Sequence, residues 1–153
     1  MKRQNDKSAP SEALFNWYPG HMAKALREIK QKLALVDIVL EVRDARAPLV
    51  TGNFELNNQL GQKKKIIVLN KANLADPAAS KRWSEWFDKK GEPHLFVNAL
   101  DRGAMKQIIP MARQIVTANR KVSNPDYVEI KTRIKMMIVG LPNTGKSTII
   151  NQL

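Results

Sequence analysis

Residues 140–148 read Gly140-Leu141-Pro142-Asn143-Thr144-Gly145-Lys146-Ser147-Thr148 and directly follow the apolar run Ile134 to Val139. The spacing Gly-x4-Gly-Lys-Ser is that of a loop whose backbone N–H groups surround phosphate, with a strand before it and a helix after it. In such a loop Lys146 contacts the terminal phosphates and the Ser147 hydroxyl is a ligand for Mg²⁺. The candidate phosphate-binding residues are Gly140, Asn143, Thr144, Gly145, Lys146, Ser147 and Thr148. This stretch predicts a P-loop, and hence an α/β nucleotide-binding domain.

Four short apolar runs predict the strands of the sheet. They are Asp37 to Val42, Lys65 to Leu69, His94 to Val97 and Ile134 to Val139. Each run is continuous rather than alternating, which is typical of strands buried on both faces of a parallel sheet. Helices are expected between them at Asn53 to Leu60, from Pro77 behind the capping residue Asp76, and at Ala104 to Ala118. The alternation indicates a doubly wound α/β fold of about four strands.

The flanking segments set the domain limits. Residues 1–15 are polar and have no period, so we expect a flexible tail. Residues 16–153 then form one domain, which opens with an amphipathic helix whose apolar stripe is Met22, Leu26, Ile29, Leu33 and Val36. Asn119 to Lys131 lacks a helical period and is expected to link the third of the later helices to the last strand.

Composition restricts the functional classes. The 153 residues include no cysteine and two histidines, which excludes disulfides, thiolate metal sites and a histidine cluster. A net charge of +12 favours RNA or a nucleotide as partner, with charges that merely face water as the alternative. No apolar run approaches the roughly 20 residues of a membrane span. No membrane partner and a cytoplasmic location are therefore expected.

Two more loops follow predicted strands and are candidates for reading a guanine base. Asn70-Lys71-Ala72-Asn73 comes directly after the second strand, where α/β proteins place ligand-binding loops, although a helix-capping loop is the alternative. Asn98 and Ala99 end the third strand, and the Ala99 N–H could donate to a guanine oxygen. The candidate guanine-binding residues are Asn70, Lys71, Asn73, Asn98 and Ala99.

Two other groups of residues favour structural roles. Asp44 and Arg46 follow the first strand and are expected to form a local turn and ion pair. Trp83, Trp86 and Phe87 lie on the predicted second helix, and we expect them to pack that helix on the sheet rather than to stack on bases.

Taken together, these motifs resemble those of a known family. The run Trp17-Tyr18-Pro19-Gly20-His21-Met22-Ala23-Lys24-Ala25, the triplet Asp44-Ala45-Arg46, both guanine candidates and the P-loop occur in this order along the chain. In this order and with these residues they resemble the circularly permuted GTPases of ribosome assembly, in particular the ribosome biogenesis GTPase A family. The likeness covers residues 16–153.

The resemblance implies a spatial strand order of last, first, second, third. It also implies binding of GTP and GDP with Mg²⁺, contact with rRNA or a pre-50S particle, and a role in 50S subunit assembly. His21 is implied to assist hydrolysis, with capping or packing of the first helix as the alternative. Asn143 matches an asparagine that lets related GTPases use K⁺.

Three departures from the family pattern carry expectations. Asn73 stands where the family has Asp, so selectivity for guanine should fall and xanthine becomes a suitable base. The given sequence does not continue into a switch segment or an Asp-x-x-Gly motif, so we expect a partial, truncated domain without hydrolysis. The strand Ile134 to Val139 should then be an exposed edge, through which the chain could self-associate.

Two alternatives to this function stay open. The first is a non-enzymatic, basic rRNA-binding fragment that uses the tail and the first helix. The second is a P-loop NTPase with another base preference.

Overall fold

A computed structural model describes Lys24, residues 27–128 and residues 133–153 of the chain. Residues 27–34 form helix α1. The further elements are β1 Ile38–Asp44, α2 Phe54–Leu60, β2 Lys64–Asn70, α3 Pro77–Lys89, β3 His94–Phe96, α4 Arg102–Met105, α5 Ile108–Ser123, β4 Met136–Gly140 and α6 Lys146–Gln152. No helix in this part of the chain is both long and apolar enough to cross a membrane. The predicted tail and the run Trp17 to Ala25 with His21 lie outside the described residues, apart from Lys24.

The four strands form one parallel sheet in the order β3-β2-β1-β4. This confirms the doubly wound parallel architecture and the permuted order, in which the last strand lies beside the first. β1 is the central strand, and all seven of its residues are buried. β1 pairs with β2 and β4 on its two sides, and Val42 lies opposite both Val68 and Gly140.

Apolar side chains cover both faces of the sheet. On one face, Ile38, Leu40 and Val42 of β1 pack under α4, α5 and α6, whose contributions are Met105, Ile108, Ala112, Val116 and Ile149. On the other face, Val39 contacts Leu33 of α1 and Leu60 of α2, and β2 contacts Phe87 of α3. Because side chains alternate along a strand, β1 supplies both layers at once.

The strands match their predicted positions to within about two residues, but two helical predictions need correction. The expected helix from Ala104 to Ala118 is two helices, because Asp101 caps α4 through Gly103 and a new helix begins at Ile108. The expected linker is also wrong over Asn119 to Ser123, which continue α5. The helix ends before Pro125, which has no N–H to continue it. The predicted cap of α3 is confirmed, since Asp76 Oδ1 accepts from the Ala79 N–H at 2.6 Å.

An ion pair joins the last turn of α5 to the residue just before β1. Asp37 accepts from Arg120 at 2.6 Å and from the Lys135 N–H at 2.8 Å, so it ties α5 to the residues just before β4. Burial alone would raise the pKa of Asp37, but the Lys135 amide and the Arg120 guanidinium outweigh it and hold that pKa below its usual range. This carboxylate fixes both ends of the connection that the permuted order requires.

The aromatic cluster of α3 is only partly a packing feature. Phe87 is buried against β2 and Trp83 packs beside it, as expected. Trp86 is 37% exposed, and the Lys90 ammonium lies 5.6 Å from its ring centroid. The prediction of packing is therefore confirmed for Phe87 and Trp83 and is wrong for the outer part of Trp86.

Candidate functional site

Three loops meet at the carboxyl edge of the sheet, and the Asn70 side chain joins them. Its Nδ2 donates to the Thr144 carbonyl at 2.9 Å, and its Oδ1 accepts from the Ala99 N–H at 2.9 Å. Asn70 is 3% exposed, so these contacts satisfy a buried amide on both sides. β2 and β4 are not neighbouring strands, because β1 lies between them. The two loops nevertheless make contact beyond the end of β1.

The glycines of residues 140–145 allow this close approach. A Cβ on Gly145 would overlap the Asn70 amide nitrogen, and the residue has a positive φ of 95°. A Cβ on Gly140 would overlap the Val42 carbonyl oxygen of the neighbouring strand. The spacing of these glycines is therefore required by the backbone geometry as well as by the phosphate-binding pattern.

Internal hydrogen bonds shape the P-loop itself. Thr144, which is buried, donates through Oγ1 to the Leu141 carbonyl at 2.9 Å. Lys146 Nζ donates to the same carbonyl at 2.8 Å, so its ammonium lies over the loop while staying exposed. Lys146, Ser147 and Thr148 all fall in the first turn of α6. Every predicted phosphate-binding residue therefore lies on this loop or on the turn that follows it.

Lys71 bridges the second loop to the P-loop. It has a left-handed φ of 62°, and its Nζ donates to the Asn143 carbonyl at 2.7 Å. The same Nζ lies 3.2 Å from Asp44 Oδ2. Asp44 also receives the Arg46 guanidinium, at 2.9 Å on Oδ1 and 2.7 Å on Oδ2, which confirms the predicted local ion pair. The Arg46 hydrogen bonds and the Lys71 ammonium hold the pKa of Asp44 well below its usual range.

The guanine candidates line one open groove of about 270 Å³. Its walls come from the β2 loop, the β3 loop and the start of α6, namely Asn70, Lys71, Asn73, Leu74, Asn98, Ala99, Leu100, Gly145 and Thr148. The Ala99 N–H, a candidate donor to the base, is already bonded to Asn70, and Asn98 Oδ1 accepts from the Leu100 N–H at 3.1 Å. A larger groove of about 540 Å³ lies on α5, but its described lining comes from that helix alone.

A buried ionic network on β1 was not predicted. Glu41 and Arg43 of β1 form two parallel hydrogen bonds of 3.0 Å, and Lys65 Nζ lies 3.3 Å from Glu41 Oε2. Glu41 is 0% exposed and Arg43 is 5% exposed. A signal was available in the sequence, since opposite charges two residues apart in a buried strand share one face of the sheet.

Magnesium could be held here only together with a phosphate ligand. The described residues contain no group of three acidic, histidine or cysteine side chains that could hold a metal ion. Mg²⁺ usually keeps several waters and takes one or two protein ligands beside substrate phosphates. Ser147 is exposed in the first turn of α6 and fits that pattern with a single hydroxyl.

Comparison with known proteins gave a consistent set of relatives. No protein-family model matched the sequence. Ribosome biogenesis GTPase A of Bacillus licheniformis is 41% identical over 141 residues, which are 92% of this chain and 49% of that protein. Mitochondrial ribosome-associated GTPase 1 of Bos taurus is 36% identical over 138 residues, which are 90% of this chain and 40% of that protein.

A solved structure agrees with these sequence matches. The crystal structure of GNP-bound YlqF from T. maritima superposes with a TM-score of 0.61 at 38% identity, over 85% of this chain and 47% of that one. YlqF is a circularly permuted P-loop GTPase, which matches the strand order found here. The chain spans about half the length of the curated relatives it matches. The resemblance to the ribosome biogenesis GTPase A family is therefore confirmed for nine-tenths of this chain, within the half of those proteins that it spans.

Proposed function

We propose that this chain forms the guanine-nucleotide-binding part of a GTPase that acts in assembly of the large ribosomal subunit. The observation that supports this most directly is the Asn70 amide, which joins the P-loop to both candidate base-reading loops. The names of the relatives support the ribosomal role. Residues 16–153 are proposed as one partial G domain, preceded by a tail over residues 1–15.

In this proposal, each loop has a distinct task. The P-loop backbone and Lys146 hold the phosphates, and Thr144 and Thr148 lie beside those phosphates. Ser147 holds the Mg²⁺ that accompanies GTP and neutralises phosphate charge. Asn73, Asn98 and Ala99 contact the base in the groove. A K⁺ ion beside Asn143 and a hydrolytic role for His21 belong to the same proposal. Hydrolysis is proposed for the longer proteins, of which this chain spans about half.

Lys146→Ala tests nucleotide binding. Losing the ammonium removes a charged hydrogen bond to phosphate, and the affinity for GDP and GTP should fall roughly ten- to a hundredfold. Titration with a fluorescent GDP analogue measures this. Lys89→Ala, which removes the same charge from the end of α3, is the control and should leave the affinity unchanged. An equal loss in both variants would contradict the assignment of Lys146.

Asn73→Asp tests how the base is read. A carboxylate accepts from both donors of the guanine edge, whereas the carboxamide presents one acceptor and one donor. The variant should therefore bind GDP roughly tenfold more tightly and the xanthine nucleotide more weakly. Competition among GTP, XTP and ATP measures both changes. Asn98→Asp adds the same charge to the same groove and should not produce this reversal; if it does, Asn73 is not the base-reading position.

A non-enzymatic rRNA-binding role is the second candidate, and the net charge of +12 favours it. RNA binding that falls steeply with salt and is unaffected by Lys146→Ala would support this alternative. Self-association through β4 is a further proposal. β4 forms the end of the sheet among the described residues, and a second copy could pair with that edge.

The place of action follows from the same proposal. A relative of the bacterial proteins would meet the ribosome in the cytoplasm, whereas the Bos taurus relative is named as mitochondrial. We propose the cytoplasm for this chain.

A further inference from the structure

Lys71 is held in an orientation that its own backbone does not favour. Its φ of 62° lies in the left-handed region, where residues other than glycine are uncommon. Its long side chain must also lose rotamer freedom to reach the Asn143 carbonyl at 2.7 Å. This hydrogen bond is exposed, so water competes with the carbonyl for the ammonium. A second group that contacts the same ammonium would help to hold Lys71 in place.

Asp44 is the charged group within reach. Its Oδ2 lies 3.2 Å from Lys71 Nζ, and the residue is 8% exposed at the end of the central strand. Asp44 lies opposite Asn70 in the sheet, and its own N–H donates to Thr51 Oγ1 at 3.0 Å. The carboxylate is therefore fixed by the strand, while the lysine it faces comes from a loop.

Arg46 shares this carboxylate with Lys71. Its NH2 group lies 2.7 Å from the same Oδ2, and its Nε and backbone N–H both reach Oδ1. The Arg46 side chain is 51% exposed, so it is the more solvated of the two cations. Two cations on one oxygen repel each other, and each weakens the attraction that the other feels.

We propose that Asp44 is a positioning residue of the nucleotide site, which holds the Lys71 ammonium on the Asn143 carbonyl and thereby fixes the P-loop. Arg46 moderates this effect by competing for the same oxygen. The inference rests on the proposed nucleotide binding, because its consequence is the rate at which nucleotide leaves. Asp44 itself lines neither the P-loop nor the groove, and it acts through Lys71.

Release of a fluorescent GDP analogue tests the proposal by stopped flow. Asp44→Asn should speed release roughly five- to tenfold, since breaking a partly buried charge pair acts mainly on dissociation. Lys71→Met should speed release at least as much, and the double variant should be no faster than Lys71→Met alone. Arg46→Gln should slow release by about two- to threefold. If the ion pair were merely structural, Arg46→Gln and Asp44→Asn would change the rate of release in the same direction.

Asp37→Asn is the matched control. Asp37 stands just before the other end of β1, pairs with an arginine and accepts a backbone N–H, as Asp44 does. The Asp37→Asn variant should leave the rate of GDP-analogue release unchanged. Faster release for Asp37→Asn, additive effects in the double variant, or faster release for Arg46→Gln would each overturn the proposal.

A second readout needs no nucleotide. Hydrogen exchange of the amides at residues 143–146 should quicken in Asp44→Asn, by a factor similar to that for release, and should stay unchanged in Asp37→Asn. If the wild-type chain binds no nucleotide, the proposed function is wrong, and this measurement still decides whether Asp44 positions the loop. Unchanged exchange in Asp44→Asn would overturn the positioning role.

Discussion

Glu41→Ala is expected to lower the free energy of unfolding by about 3–5 kcal/mol, because it leaves the Arg43 guanidinium buried without a counter-charge. Arg43 is 5% exposed and directs two of its nitrogens at the Glu41 carboxylate. The same carboxylate accepts from the Asn53 N–H at 2.8 Å, so the segment before α2 loses its anchor as well. Urea denaturation followed by circular dichroism measures the loss.

Two variants make this result specific. Asp88→Ala removes an acid from the solvent side of α3, where the side chain is 72% exposed, and should change stability by less than about 0.5 kcal/mol. Replacing both partners, as in Glu41→Leu with Arg43→Met, should recover most of the loss, since the buried Arg43 charge is then gone and Lys65 keeps Glu92 as a partner at 3.4 Å. A double variant as unstable as Glu41→Ala would show that lost packing, and not an unpaired charge, causes the loss of stability.

The same network makes the stability of the fold depend on pH in the acid range. Burial alone would raise the pKa of Glu41, but hydrogen bonds from Arg43 and the Asn53 amide, with the charges of Arg43 and Lys65, hold it below the ordinary value of 4.5. Because the folded-state pKa is the lower one, the stabilisation is complete above pH 4.5 and is lost as the pH falls through the folded-state pKa. Stability should fall less steeply with acid in Glu41→Ala than in the wild type.

Asn70→Ala should produce the second large effect, a loss of about 2–6 kcal/mol in stability together with weaker nucleotide binding. The substitution leaves a buried Thr144 carbonyl and a buried Ala99 N–H without the partner they share, and each such group costs about 1–3 kcal/mol. Thermal and urea unfolding measure the first effect, and titration with a GDP analogue measures the second.

Neighbouring and isosteric variants separate the two bonds. Asn73→Ala removes an exposed amide from the same loop and should cost less than about 0.5 kcal/mol. Asn70→Asp keeps the acceptor for Ala99 but places a carboxylate oxygen against the Thr144 carbonyl, so it should loosen the P-loop selectively. Hydrogen exchange at residues 143–146 would report that loosening. Equal stability losses for Asn70→Ala and Asn73→Ala would rule out the joining role of Asn70.

Much of the fold could be predicted because it depends on local patterns. Continuous apolar runs located all four strands, and the P-loop spacing located the turn between β4 and α6. The limits of α5 were missed because Asn119 to Ser123 have no apolar period, while the contact that holds them, Arg120 to Asp37, is 83 residues away in sequence. A long-range ion pair cannot be predicted from the local sequence of one helix.

The candidate site could be predicted as a set of loops but not as a geometry. The spacing of motifs identified Asn70, Lys71 and Gly145 one by one. The Asn70 side chain faces the protein rather than the groove alone, and that orientation depends on the loops after β2, β3 and β4 meeting at one edge of the sheet. The carboxylate shared by Lys71 and Arg46 depends equally on where β1 ends relative to β2.

The position of β1 between β2 and β4 also has a consequence for how the nascent chain folds during translation. β1, β2 and β3 are synthesised well before Met136, so at typical elongation rates some seconds pass before β4 leaves the exit tunnel. During that time the backbone of the central strand has hydrogen-bonding partners on one flank only. A partly synthesised chain is therefore exposed to mispairing at residues 38–42, and a chaperone that shields this segment should raise the yield of native protein.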